Sequence, residues 1–348
     1  MSGGVDSSVA AFLLKEKGYD VTGVFIHGYN VDGCAEKDAE DARLVAEHIG
    51  IPFYAIDAKE EYFKRVVQYM IREYSRGRTP NPDVMCNKEI KFGLFLEKAK
   101  KLGATKIATG HYARIESNPV GIFEAKDKTK DQTYFLWTLG NKEIESSLFP
   151  IGEYTKKEIR EIAKKAGLHN AEKKDSQGIC FLGKVRLPDF LKRFIEPRKG
   201  DILDIQGNKI GEHNGIQFYT IGQRHLGISV ARDTDSDPYY IVEKNSENNT
   251  LVVTEGNNHP RCFRKKIELE NINTLQKQGS GSFKVLARAR YRQSLVPAEL
   301  ILNEREKSGF LVFEEPQKFI ASGQSAVWYS PPEHSGGHEL WGGGIIKS

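Results

Sequence analysis

The stretch Ser2-Gly3-Gly4-Val5-Asp6-Ser7-Ser8 decides how this chain is read. Two adjacent glycines let the backbone approach an anion closely. Serine hydroxyls supply donors. The apolar positions that follow (Val9, Ala10, Leu13, Leu14) begin a helix whose N-terminus carries partial positive charge. Together these make a phosphate cradle. It is not a Walker A loop, because the Gly-Lys-[Ser/Thr] ending is absent. A plain Ser/Gly helix cap accounts for the hydroxyls but is far less specific than this pattern.

Outward from the loop, helical and strand periods alternate. Residues 7–17 read as a helix closed by Gly18, 20–27 as a buried strand, 35–49 as a helix stopped by Gly50, and 51–57 as a second strand. Helices over 59–76 and 87–102 precede a third strand over 105–109. Thr155-Lys156-Lys157-Glu158 fits a capping box, with Ile159, Ile162, Ala163 and Ala166 at helical spacing behind it. Such alternation predicts a doubly wound α/β domain with a parallel sheet. Past Pro188 the helical period fades into short β-like runs over 239–243, 250–253, 283–289 and 309–313. We expect a catalytic domain over 1–187, a small β-rich domain over 188–257 and a C-terminal β-barrel over 258–348, with the last boundary near Asn257–Pro260.

Composition agrees with a globular chain of two or three domains: 348 residues, 39% hydrophobic and 28% charged. The net charge of +4 is too mild to identify an anionic partner and does not oppose one. No apolar run is long enough for a transmembrane helix, and Met1-Ser2-Gly3-Gly4 lacks the basic and apolar regions of a secretory signal. Four cysteines (Cys34, Cys86, Cys180, Cys262) with no Cys-x-x-Cys pair are too sparse for a disulfide scaffold. A cytoplasmic location is expected.

Ser2–Ser8 resembles the PP-loop of N-type ATP pyrophosphatases. Further blocks run along nearly the whole chain: Thr79-Pro80-Asn81-Pro82-Asp83-Val84-Met85-Cys86-Asn87-Lys88, Ala108-Thr109-Gly110-His111-Tyr112, Lys130-Asp131-Gln132-Thr133-Tyr134, Asp175-Ser176-Gln177-Gly178-Ile179-Cys180-Phe181, Thr220-Ile221-Gly222-Gln223-Arg224, Arg290-Tyr291-Arg292-Gln293 and Gly323-Gln324-Ser325-Ala326-Val327-Trp328. With them the chain resembles the tRNA-specific 2-thiouridylases. The resemblance implies ATP-dependent adenylation, with Mg²⁺, of the C2 oxygen of a wobble uridine. Sulfur from a cysteine persulfide then displaces AMP. It implies nucleotide contacts at Ser2, Gly3, Gly4, Val5, Asp6, Ser7, Ser8, Ile26 and Gly110. Ile26 stands where relatives often carry Met, and its backbone could still serve.

By the same resemblance Cys180 receives sulfur from a donor protein, a cysteine desulfurase or relay protein, and Cys86 completes transfer by forming a Cys86–Cys180 disulfide. Cys86 falls at the start of a predicted helix, where the dipole together with Lys88 and Lys91 favours a thiolate. Gly178–Phe181 reads as a Gly-flexed arm. Cys34 and Cys262 read as buried thiols. Asp83 reads as a general acid/base beside a turn-forming Asn-Pro. Some relatives are proposed to use an iron–sulfur cluster, for which Asp83, Cys86 and Cys180 would be the ligands here. The resemblance places Asn81, Pro82, Asp83, His111, Lys130, Asp131, Gln132, Arg290, Tyr291 and Gln324 against tRNA. Arg288, Arg290 and Arg292 at period-2 spacing would form a phosphate-binding stripe on one face of a strand. Family members usually begin with an apolar strand running into the loop, so the first strand of the sheet is expected to be missing from this sequence. Two other readings share part of the signal: a PP-loop enzyme using ammonia or an amine, such as argininosuccinate synthase, and a tRNA-binding paralogue without ATP turnover.

Overall fold

The computed structural model describes residues 1–348 apart from 32, 118–119, 175–184, 225, 227–236, 277–278, 304, 332–336 and 348, and the side chain of Cys34. Helix α1 (Val5–Glu16) follows the glycine pair directly and buries Val5, Val9, Ala10 and Leu14. Strand β1 (Gly23–His27) pairs in parallel with β2 (Phe53–Asp57) from Gly23↔Phe53 to His27↔Asp57, and α2 (Cys34–His48) crosses between them. The next helix runs as α3 (Lys59–Tyr62), a π-helical stretch Phe63–Val67, and α4 (Gln68–Ser75). Another runs as α5 (Pro82–Met85), a π-helical stretch Cys86–Phe95, and α6 (Leu96–Lys101). Gly93 permits the second widened turn, since a Cβ there would stand 2.7 Å from the Lys88 carbonyl oxygen.

Strand β3 (Ile107–Ala108) leads to a hairpin of β4 (Ala113–Ser117) and β5 (Val120–Glu124), which sequence periodicity did not reveal. After α7 (Asn141–Glu145), strand β6 (Ser147–Leu148) pairs in parallel with β3. The parallel α/β domain is therefore present in two pieces, β1–β2 and β3–β6, with no ladder joining them among the described residues. The N-terminal loop lies between: the Met1 amine donates to the Val24 carbonyl, and Gly110, just after β3, abuts the Asp6–Ser7 backbone. Helix α8 (Lys156–Lys165) starts on the capping box read from sequence and packs against α1.

Past α9 (Leu187–Leu191), β7 (Gly200–Leu203), β8 (Lys209–His213), β9 (Tyr239–Asn245) and β10 (Thr250–Glu255) form one sheet in the order β8-β7-β10-β9. Six strands then close a barrel: β11 (Phe263–Thr274), β12 (Gly281–Arg288), β13 (Val296–Asn303), β14 (Ser308–Lys318), β15 (Ser325–Tyr329) and β16 (Leu340–Ile346). β13 alternates cleanly, with Ala298, Leu300 and Leu302 inward. The arginine stripe does not form. β12 ends at Arg288, and Arg292 adopts φ 65°, so the three side chains do not share a strand face.

Two apolar cores cross between the α/β domain and its neighbours. Tyr62, Val66, Met70, Cys86 and Ile90 pack with Ile202, Ile241 and Leu251 of the middle sheet. Trp137, Leu139 and Phe149 pack with Leu286, Val327 and Leu340 of the barrel. These two shared cores join the middle sheet and the barrel to the helical run that carries Cys86.

Candidate active site

The phosphate loop is built by its own residues. Gly3 takes φ +72°, and a Cβ there would stand 2.3 Å from the Asp38 carbonyl oxygen, so only glycine fits. Gly4 caps α1 without a side-chain bond, which leaves the first-turn amides open to an outside acceptor. Ser7 and Ser8 hydroxyls each donate to the Gly4 carbonyl at 3.0 Å, and Ser2 and Ser7 hydroxyls lie 3.1 Å apart. Val5 anchors the loop in the core. Asp6 turns away from the amides. It accepts from Lys156 Nζ at 2.7 and 2.9 Å and from the Tyr112 hydroxyl at 2.8 Å. Gly110 lies close enough that a Cβ would meet the Ser7 nitrogen at 2.7 Å. Ile26 sits near the end of β1, opposite Ile56.

Sequence reading missed the clamp beneath this loop. Asn170 Nδ2 donates to the Gly3 carbonyl and the Ser8 hydroxyl, at 3.0 and 2.9 Å. Lys173 Nζ reaches the Gly3 carbonyl and pairs with Asp38 and Asp41, both at 2.6 Å. A cleft of about 260 Å³ opens beside them, lined by Lys37, Asp41, His169, Asn170 and Lys173. Only distance in the sequence hid this clamp, for Lys173 lies just before the Asp175–Phe181 block.

Cys86 lies one turn inside a continuous helical run, not at its first residue. Asn81 caps that run, its Oδ1 accepting from the Val84 amide, with Pro82 in the first turn and Asp83 beside it. The thiol is buried, and that burial pushes it above the usual thiol range. Lys91 and a hydrogen bond with Tyr62 oppose the rise, and Asp83 adds to it. Where a helix-start thiolate was expected, the structure has a buried thiol for which desolvation outweighs the nearby Lys91. Cys180 and its arm lie outside the described residues. A cluster needs several thiolates. Cys180, one of the three ligands of that reading, is not among the described residues, and among those that are, no group of three His, Cys, Asp or Glu converges.

Several residues expected to face RNA are engaged inside the protein. His111 is buried between Phe92 and Phe149, with Nδ1 2.7 Å from the Thr109 hydroxyl, and burial with nearby Lys91 holds its pKa well below the usual imidazole range. Asp131 is 3% exposed; it accepts from the Ala125 amide, the Thr133 hydroxyl and Arg288 Nη2, the last at 2.6 Å. Gln132 Oε1 accepts from the Tyr112 amide at 3.0 Å. Arg290 donates to the Ile221 and Phe319 carbonyls. Gln324 Nε2 donates to the Thr79 and Pro80 carbonyls at 2.8 and 3.2 Å. Lys130 and Tyr291 are partly exposed, and Tyr291 packs on Phe135 at 4.4 Å. Tyr291 lines a cleft of about 290 Å³ with Lys128, Thr129, Asp131, Arg288 and Arg292, a basic recess with an aromatic wall.

Comparison with known proteins places each part. Residues 1–184 match the tRNA methyl transferase HUP domain, 188–255 the tRNA methyl transferase PRC-barrel domain, and 264–346 the aminomethyltransferase beta-barrel domain. The chain is 44% identical to the tRNA-specific 2-thiouridylase MnmA of Francisella philomiragia, covering 99% of this chain and 97% of that one. It is 43% identical to the protein of that name from Coxiella burnetii, over 100% and 96% of the two chains. It is 45% identical to tRNA-specific 2-thiouridylase MnmA 1 of Geobacillus kaustophilus, over 94% and 90%.

Proposed function

The chain belongs to the tRNA-specific 2-thiouridylase family, and from that premise we propose that it is an ATP-dependent tRNA-uridine 2-sulfurtransferase acting on the wobble uridine. The observation that carries this reading is the loop at α1, where Gly3 and Gly110 leave open amides for phosphates. ATP is a substrate of the reaction. The amides of Gly4, Val5 and Asp6 with the Ser2 and Ser7 hydroxyls would hold its phosphates, and Mg²⁺ supplies charge neutralisation when bound. Lys156 and Tyr112 hold the Asp6 carboxylate away from the loop's amides.

Adenylation makes the uracil C2 oxygen a leaving group as AMP. The terminal sulfur of a Cys180 persulfide attacks C2 and AMP departs. The Cys86 thiolate then attacks the Cys180 sulfur. The bond from that sulfur to the transferred one breaks, 2-thiouridine leaves, and a Cys86–Cys180 disulfide remains for a dithiol to reduce. Asp83, one turn before Cys86, would take and return the uridine N3 proton. Buried Cys86 is stored as a thiol and must be uncovered before it acts, with Lys91 favouring the thiolate once it is. An unpaired nucleotide of the anticodon loop would enter the recess beside Tyr291, whose aromatic wall and basic lining support this reading. The sulfur donor is a persulfide-carrying protein.

Cys86→Ser and Cys180→Ser test this reading by nucleoside mass spectrometry of tRNA incubated with ATP, Mg²⁺ and a persulfide donor. Wild-type protein yields 2-thiouridine, and each variant yields none while still binding tRNA. Full 2-thiouridine formation in both variants would remove the two cysteines from the mechanism, and ATP turnover that needs ammonia or an amine and gives no 2-thiouridine would support an amine-using relative instead. A methylated nucleoside formed from S-adenosylmethionine would support the methyl transfer named in the family description.

A further inference from the structure

The segment that delivers Asn81, Asp83 and Cys86 is fastened from outside its own domain. Arg78 Nη2 pairs with Glu270 of β11 at 2.6 Å and donates to the Ile346 carbonyl of β16. The Thr79 amide donates to the Ser322 carbonyl at 2.8 Å, and Gln324 Nε2 takes the Thr79 and Pro80 carbonyls. The Thr79 hydroxyl lies 3.2 Å from that of Thr220 in the middle domain. Gly323, at φ +88°, is pressed so close that a Cβ would stand 2.9–3.0 Å from the Thr79 backbone. Two residues on, the Ser325 carbonyl accepts from the Tyr134 hydroxyl at 2.9 Å. Asn81 caps the helix of Cys86. Hydrogen bonds thus tie the barrel turn 321–325 to Thr79 and Pro80, the two residues immediately before the Asn81 cap of the catalytic helix.

We propose that Gln324, with Gly323, is a positioning residue: the barrel turn sets the Thr79–Asp83 backbone, and through it the placement of Asp83 and the covering of Cys86. A proline-rich segment has few amides for ladder bonds of its own, so its carbonyls need donors from elsewhere. The Gln324 side-chain nitrogen donates both of these bonds, so its two protons are engaged inside the protein. Because the same turn belongs to the barrel expected to grip tRNA, docking RNA against the barrel can shift the catalytic segment. This inference rests on the thiouridylase reading for its catalytic consequence only.

The test uses full-length wild type, Gln324→Met, which keeps the volume and loses the donor, and Gly323→Ala. Without tRNA, iodoacetamide labelling of the Cys86 peptide and amide exchange over residues 79–85 are followed by mass spectrometry. Both rates should rise in the two variants, the labelling by about tenfold for two lost carbonyl bonds. In turnover, kcat should fall by a similar factor while KM for tRNA stays within about twofold. Unchanged labelling and exchange, with KM for tRNA raised and kcat kept, would overturn the proposal and make Gln324 an RNA contact alone. If no variant and no wild type makes 2-thiouridine, the functional reading fails, and the tRNA-free labelling still decides the positioning claim.

Discussion

Removing Asp131 should unseat the barrel, because Asp131 and Arg288 form a buried ion pair across the domain boundary. Both side chains are almost fully enclosed, at 3% and 5% exposure, and meet at 2.6 Å. Two unit charges at that distance attract by about 6 kcal/mol at an effective dielectric of about 20. Desolvation cancels much of this, and stranding one partner of such a pair typically costs about 3–5 kcal/mol. Asp131→Ala also removes the acceptor for the Ala125 amide and the Thr133 hydroxyl. Against this, Arg288 keeps the Tyr329 hydroxyl, and Glu124 Oε1 remains at 3.8 Å. The expected loss is therefore near the lower end, about 3 kcal/mol. Urea unfolding followed by tryptophan fluorescence is a suitable assay, since Trp137 lies on the α/β side of this interface and Trp328 inside the barrel. Asp131→Ala should lower the urea midpoint strongly, and Asp131→Ala with Arg288→Met should recover much of the loss by removing the stranded charge. A loss below about 1 kcal/mol, or a double variant as unstable as the two single losses added, would refute the reasoning.

Other outcomes follow from the same structure. Gly3→Ala should weaken ATP binding by about tenfold or more, because the new Cβ meets the Asp38 carbonyl in a left-handed backbone; isothermal titration reads this directly. Thr155→Ala removes the acceptor for the Glu158 amide and should cost about 1 kcal/mol by urea unfolding. His111 has a folded pKa well below its unfolded value, so the unfolded chain takes up the proton first. Its contribution to stability is intact above about pH 6.5 and is lost as pH falls, at up to about 1.4 kcal/mol per pH unit. His111→Gln should flatten the fall in urea midpoint between about pH 6.5 and 5.

Local signals were legible and long-range ones were not. The glycine pair of the loop and the Thr155–Glu158 box act within a few residues, and each reappears in the structure with the geometry its sequence implied. The strand over 20–27 and the helix over 35–49 were legible for the same reason, apart from end residues. The arginine run misled because period-2 spacing says nothing of where a strand stops, and β12 stops at Arg288. The resemblance places Asp131 and Arg290 against tRNA, and in the structure both bond groups on another domain that lie far away in sequence. Burial of Cys86 is likewise a property of the shared core with the middle sheet, so local lysines could not forecast its raised pKa.

The most direct test of the central claim measures product and AMP together in one reaction. Unmodified tRNA with a wobble uridine is incubated with the protein, ATP, Mg²⁺ and a persulfide donor; nucleosides are quantified by mass spectrometry and nucleotides by chromatography. The account predicts 2-thiouridine and AMP in equal amounts, with pyrophosphate and no ADP. Tightly bound tRNA with no 2-thiouridine, or 2-thiouridine formed without AMP, would contradict it.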